Sequence, residues 1–263
     1  MLNVNAVSKT FFPGTVNERR ALVDVDLQLA AGDFVTVIGS NGAGKSTVLN
    51  TVAGRIVQDT GVVELDGRNV SKLKEHQRAA QVGRVFQDPM AGTSPNLTIE
   101  ENLALADKRG RARGLGLGVS KAKRERFSRE LEVLELGLEN RLKTKVGLLS
   151  GGQRQALSLL MATFSQPKIL LLDEHTAALD PQRAELVTRL TKKVVQEQQL
   201  TTLMVTHNMA QALEVGNRLI MMHEGRIILD VSQEEKVKLS PEDLLAEFAK
   251  IKGVALDDKT MLQ

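Results

Sequence analysis

A chain of 263 residues, 42% hydrophobic and 25% charged, has room for one large domain or two small ones and enough apolar residues for a sizeable core. The absence of cysteine excludes a disulfide framework and thiolate metal sites. Thirty-five Lys and Arg against 32 Asp and Glu leave +3, too little to advertise nucleic-acid binding, and no Trp, no Tyr and seven Phe leave little on which to stack bases.

The first residues, Met1-Leu2-Asn3-Val4-Asn5, lack the basic start and apolar run of a secretory signal. The opening then reads as strands: apolar and polar residues alternate from Val23 to Leu29, the mark of a half-buried strand. After the turn Ala31-Gly32-Asp33, the apolar run Phe34–Ile38 predicts a strand covered on both faces. A Gly-rich loop precedes a helix from about Lys45 to Ala53, stopped by Gly54. Gly61–Leu65 predicts a further strand, closed by Asp66-Gly67.

The middle is helical. Thr98 and Glu101 fit a capping box. Phe127, Leu131, Leu134 and Leu138 predict an amphipathic helix from Ser120 to Gly137. Lys108–Arg129 carries nine basic residues and one acid, Glu125, which fits a solvated face or, alternatively, proximity to anionic lipid. From Lys168, strands alternate with helices: Ile169–Leu172, a helix after Pro181, Leu203–Thr206, then another helix. Ile169–Leu172 is among the longest apolar runs and is far too short to span a bilayer. A hairpin around Glu224-Gly225 and a short helix capped by Ser240, with Pro241 in its first turn, end the pattern, and Asp257 to Gln263 are expected to fray. This alternation argues for a mostly parallel sheet covered by helices.

Three motifs carry chemistry. Gly39-Ser40-Asn41-Gly42-Ala43-Gly44-Lys45-Ser46, followed by Thr47, matches the phosphate-loop pattern G-x-x-x-x-G-K-[ST] between a strand and a helix. Its backbone N–H groups and the helix start suit phosphate oxygens, Lys45 suits the β- and γ-phosphates, and the Ser46 hydroxyl suits Mg²⁺. In Ile169–Glu174 an apolar strand ends in two acids: Asp173 can hold the Mg²⁺ shell, and Glu174 can take a proton from an attacking water. Leu149-Ser150-Gly151-Gly152-Gln153 places paired glycines at a helix start, which reads either as a second anion site or as a glycine-rich cap.

With these residues in order, the chain resembles the ATPase subunit of ATP-binding cassette (ABC) transporters over about residues 2–230. Leu149–Gln153 matches the family signature without substitution, so Ser150, Gly151, Gly152 and Gln153 are expected to complete the nucleotide site of a second subunit. Gln87, in Val85-Phe86-Gln87-Asp88-Pro89, matches the glutamine loop that senses Mg²⁺ and the γ-phosphate. Asp180, in Ala178-Leu179-Asp180, matches the loop that crosses the dimer interface, and His207 matches the switch histidine. Phe11 stands where the family commonly stacks adenine on tyrosine, with Phe12 as the rival. His175 replaces a common proline and is expected near the nucleotide as a subfamily marker without a catalytic role; like His76 and His223, it reads as structural.

The resemblance implies an α/β fold: a P-loop NTPase (RecA-like) core with an N-terminal antiparallel β portion and an inserted helical subdomain. The ATPase domain would span 1–230, with the helical subdomain at about 88–164, and 231–263 would form a C-terminal helix and tail. The implied cofactors are ATP and Mg²⁺. The implied partners are a second ATPase subunit in a homodimer, an integral membrane permease and, through it, an extracytoplasmic substrate-binding protein, with no nucleic acid. The place is the cytoplasmic face of the membrane, as a peripheral subunit; Asp173 to Asp180 is similar to ATPases of bacterial importers fed by a substrate-binding protein, and an amino-acid-type substrate is the expectation added to it. Attachment would use Gln87 to about Leu105, with Asp88–Gly92 as a flexible joint and Leu97, Ile99 and Leu103 as apolar residues available either to grip a partner helix or to join the core. A soluble cassette acting on DNA or ribosomes commonly carries two cassettes or a coiled-coil insertion, and this chain has neither. A non-hydrolysing cassette is disfavoured by the presence of Lys45, Asp173, Glu174 and His207.

Overall fold

The computed structural model describes residues 1–110 and 118–252. In chain order the elements begin with β1 (Leu2–Phe11), β2 (Arg19–Leu29), β3 (Phe34–Gly39), α1 (Lys45–Ala53), β4 (Thr60–Leu65), β5 (Arg68–Asn69) and α2 (Glu75–Arg78). They continue with β6 (Val82–Val85), α3 (Ile99–Asp107), α4 (Lys121–Glu132), α5 (Gly151–Thr163), β7 (Ile169–Asp173) and α6 (Pro181–Glu197). The last are β8 (Thr201–Val205), α7 (Met209–Glu214), β9 (Arg218–His223), β10 (Arg226–Ser232), α8 (Gln233–Lys236) and α9 (Pro241–Lys252). Two compact units result: Met1–Lys74 with the described residues from Thr201 on, and Glu75–Leu200. Asp257 to Gln263 lie outside the described residues.

In the first unit, β2, β1, β4 and β5 form an antiparallel sheet. Val25, Leu27 and Leu29 of β2 are buried and Asp24, Asp26 and Gln28 are exposed, as period-2 alternation requires. The same unit pairs β3 in parallel with both β8 and β9, and β10 runs antiparallel to β9. Every residue of β3 is buried, in keeping with its continuous apolar run. Strand β8 begins at Thr201, two residues before the expected start, and stops at Val205, because the Thr206 hydroxyl turns aside to donate to Gln211 Oε1 at 2.7 Å. Helix α9 seals the unit: Leu244 and Phe248 pack with Ile38, Ala212, Leu219, Met221 and Val231.

The second unit pairs β6 with β7 in parallel and surrounds them with helices. Thr98 and Glu101 close the expected capping box on α3, an arrangement worth about 1 kcal/mol. Helix α4 stops at Glu132, five residues short of expectation, because Glu135 at φ 55° and Gly137 at φ 68° reverse the chain. Leu134 and Leu138 are still fully buried beside Phe127 and Leu131, on the turn and the 3₁₀ segment that follow the helix. Three of the seven described basic residues of the run make ion pairs. Lys123 and Arg126 clasp Asp107 at 2.9 and 3.0 Å, and Arg124 grips Glu100 with two donors at 2.6 and 3.2 Å, so α4 docks on α3 through ion pairs. Burial works to raise the Asp107 carboxyl, but these two cations hold it below its ordinary value. No helix among the described residues is long and apolar enough to cross a membrane.

Candidate functional site

In the first unit, β3 delivers the phosphate loop to the C-terminal edge of a parallel strand, the edge where ligands of α/β sheets bind. Gly39 has φ 147°, and a Cβ there would lie 2.2 Å from the Met222 carbonyl oxygen, so only glycine fits. Gly44, at φ 103°, is the N-cap of α1 and supplies no side-chain cap, whereas Thr98, Ser120, Ser150, Asp180 and Asn208 cap α3 to α7. Helix α1 also has no acid in its first turn. This start, with Ser40, Asn41, Gly42 and Ala43 before it and Ser46 and Thr47 after it, therefore suits an anion. Lys45, only 5% exposed, lays its Nζ on the loop's own Gly39 and Ser40 carbonyls at 2.6 and 3.1 Å.

Two other candidates share this unit. In the β3–β8 pair Val37 is in register with Val205, so Gly39 and His207 leave their strands at the same edge. The turn carrying His207 is fixed on both sides: Asn208 N donates to Thr206 Oγ1, and Asn208 caps α7 through Gln211 N. Phe11, at the end of β1, is in register with Arg19, and Arg19 Nη2 donates to the Gly42 carbonyl at 2.8 Å, so the Phe11 end of the sheet lies beside the phosphate loop. The Phe11 ring is half-buried with Lys9 Nζ 5.9 Å from its centroid, and Phe12 is 67% exposed.

The second unit gathers the acids. Val85 is in register with Leu172, so Gln87 and Glu174 emerge at the same end of the β6–β7 pair. Asp173 accepts from Arg84 Nη2 at 3.0 Å. Glu174 has φ 47°, a left-handed conformation that a non-glycine residue adopts at some cost, and its carbonyl accepts from Ala177 N at 2.9 Å. His175 is buried, and its Nε2 meets Thr191 Oγ1 at 3.0 Å. The Thr191 hydroxyl already donates to the Val187 carbonyl, so His175 Nε2 is the donor in that bond. Burial pushes His175 down to about 4, so the imidazole is neutral at physiological pH.

Ser150 and Gln153 satisfy each other in a capping box: the Ser150 hydroxyl accepts from Gln153 N, and Ser150 N donates to Gln153 Oε1. Gly151 and Gly152 leave room for neighbours, since Cβ atoms there would meet Leu179 at 3.4 Å and Arg183 at 3.3 Å. Asp180 caps α6, accepting from Arg183 N and pairing with Arg183 Nε at 3.1 Å. The expected flexible joint is a hydrogen-bonded turn, in which Met90 N and Ala91 N donate to Asp88 and the Thr93 hydroxyl donates to the Pro89 carbonyl. Ile99 and Leu103 are fully buried core residues and cannot grip a partner; among the described residues of this unit the exposed large apolar side chains are Met90, Leu105 and Leu148. Arg19 and Arg84 escaped sequence reasoning. Their only signal was a charge beside a motif or inside a short apolar strand.

The Ser46 hydroxyl, the Gln87 amide oxygen and the Asp173 carboxylate are hard oxygen donors, the chemistry that Mg²⁺ prefers. Among the described residues no group of three or more His, Cys, Asp or Glu could hold a metal ion.

Residues 22–177 match the family model described as ABC transporter. The chain is 45% identical over 249 residues to the tyrosine transport ATP-binding protein of Clostridioides difficile, covering 94% of this chain and 98% of that protein. It is 34% identical to the spermidine/putrescine import ATP-binding protein of Thermobifida fusca, covering 86% of this chain and 56% of the relative. Among solved structures, a dimeric ATP-binding cassette in a post-hydrolysis state with ADP and Pi is similar at a TM-score of 0.75 and 30% identity, covering 89% of this chain and 99% of that one.

Proposed function

The chain belongs to the ABC transporter family as an ATP-hydrolysing cassette, and from that premise we propose that it powers import of an amino-acid-type substrate through a separate membrane permease. The near full-length match to a tyrosine transport ATP-binding protein is the observation that supports an amino-acid-type substrate, and the match to a spermidine/putrescine import ATP-binding protein supports import. The proposed ATPase domain is 1–230, with the helical subdomain at about 88–164 and a C-terminal helix and tail from 231.

In this reading Gly39 to Thr47 cradle the phosphates, Lys45 neutralises them, and Phe11 stacks on adenine. Ser46, Gln87 and Asp173 would hold Mg²⁺, which when bound supplies positive charge to the β- and γ-phosphates. Glu174 takes the proton of the attacking water, and His207 donates to the γ-phosphate. Ser150 to Gln153 and Asp180 act on the nucleotide of a second copy of the chain in a head-to-tail homodimer. The subunit sits peripherally on the cytoplasmic face of the membrane, and substrate reaches the permease from an extracytoplasmic binding protein.

Permease attachment is tested by affinity purification of the tagged chain from detergent-solubilised membranes of its own cells, with any captured polytopic protein identified by mass spectrometry. Leu105→Asp and Leu148→Asp, at side chains 56% and 74% exposed, should abolish co-purification and leave nucleotide binding unchanged. Normal assembly and transport by both variants would move the docking surface elsewhere, and a native chain that never captures a membrane protein would end the importer reading. Adenine stacking is tested separately. Phe11→Ala should weaken ATP by about 1–3 kcal/mol, the stacking scale for bases on aromatic side chains, and Phe12→Ala should do less. Equilibrium titration with a fluorescent ATP analogue reads both, and the opposite order would reassign the stack to Phe12.

A further inference from the structure

Strand β6 carries a charged side chain to which none of these roles is assigned. The Arg84 side chain is only 8% exposed. It is in register with Leu171, so it shares a face of the strand pair with Asp173, two residues beyond Leu171. Its Nη2 donates to Asp173 Oδ2 at 3.0 Å, and its guanidinium lies 4.6 Å from the centroid of the Phe86 ring. Phe86 immediately precedes Gln87, and its carbonyl accepts from Gln155 Nε2 at 3.0 Å, a bond from α5. One guanidinium thus touches the carboxylate proposed to hold Mg²⁺ and the ring beside the amide proposed to do the same.

The chemistry of that contact is competitive. A guanidinium keeps its charge at any physiological pH, and a partly buried carboxylate is costly without a cation. With Arg84 on Oδ2, a divalent ion approaching Asp173 must share or displace that contact and meets a like charge a few ångström away.

Resting on the assignment of Asp173 as a metal ligand, we propose that Arg84 is a positioning residue that serves as the counter-cation of Asp173 in the metal-free cassette, and so sets the Mg²⁺ concentration at which nucleotide loads. The stack on Phe86 holds the guanidinium in that place, and the Gln155 bond fixes the Phe86 backbone beneath it.

The test uses the full chain, a fluorescent ATP analogue at fixed concentration and a titration of free Mg²⁺. Arg84→Met keeps a stem over Phe86 and removes the charge. It should lower the Mg²⁺ midpoint for nucleotide binding about fivefold, as expected when a nearby like charge is removed from a partly screened site. It should also lower the melting temperature of the EDTA-treated, nucleotide-free protein. Arg84→Gln, which keeps a donor for Asp173 without the charge, should shift the midpoint the same way and decides the matter if Arg84→Met does not fold. Arg84→Lys should stay within about twofold of the parent, because the ammonium restores the charge. A midpoint that is unchanged or raised in the neutral variants, with only the melting temperature lowered, overturns the proposal and leaves Arg84 a purely structural ion pair. Asp173→Asn separates this from failure of the premise: if the Mg²⁺ dependence of binding survives Asp173→Asn, Asp173 is not the ligand and the proposal falls with it.

Discussion

Glu174→Gln should cut ATP turnover about 10²–10⁴-fold, the usual value of a positioned general base, while leaving nucleotide binding intact. Glutamine is nearly isosteric with glutamate, so the left-handed turn at φ 47° and the bond from Ala177 N to the residue 174 carbonyl can persist. What disappears is the carboxylate proposed to accept the proton of the attacking water. Because hydrolysis is the step that loosens the proposed head-to-tail dimer, the variant should also accumulate as a dimer in MgATP. Phosphate release measures the first effect and gel filtration with and without MgATP measures the second. A variant that hydrolyses at the parent rate and elutes as a monomer would remove Glu174 from the role of base.

Legibility in the sequence followed the range of the interactions involved. Helix α1 begins at Lys45, ends at Ala53 and stops at Gly54 with φ 77°, as read, because a phosphate loop and a glycine stop are local signals. The cap at Thr98 was equally plain, since it needs only a partner three residues on, whereas the same pairing of Ser150 with Gln153 was hidden behind the paired glycines between them. Strand β6 escaped notice because Val82-Gly83-Arg84-Val85 shows no clean period. Its glycine answers to a helix far along the chain, as a Cβ at Gly83 would lie 2.5 Å from the Ala162 carbonyl oxygen. Its arginine answers to Asp173, 89 residues away. The end of α4 was overrun for the opposite reason: Leu134 and Leu138 continue the apolar spacing and are buried, yet the chain carries them there through a turn. Ile99 and Leu103 could serve a partner or the core, because spacing marks an apolar face without saying what covers it; here the protein's own core does.

Mixing two disabled chains should recover what neither has alone. Lys45 Nζ rests on the Gly39 and Ser40 carbonyls, within its own loop. Lys45→Ala removes the charge-assisted donor proposed for the phosphates, which should weaken ATP by about 1.5–3 kcal/mol, or roughly 10–150-fold. Ser150→Arg breaks the capping box with Gln153 and fills the start of α5 with a long cation, so it should disable the surface offered to the other subunit while leaving that chain's own phosphate loop in place. In a homodimer of either variant both composite sites are defective. In the heterodimer one site carries both defects and the other pairs an intact Lys45 with an intact Ser150, so an equal mixture should regain up to about a quarter of the parent ATPase rate, less any coupling between the sites. A photoreactive group on the γ-phosphate makes the geometry explicit. In the mixture ATP is held by the Ser150→Arg chain, and the label should appear within residues 150–153 of the Lys45→Ala chain, which binds ATP poorly itself. Label confined to the chain that holds Lys45, together with no recovery of activity, would mean that each nucleotide is served by a single subunit, and the head-to-tail arrangement would have to be abandoned.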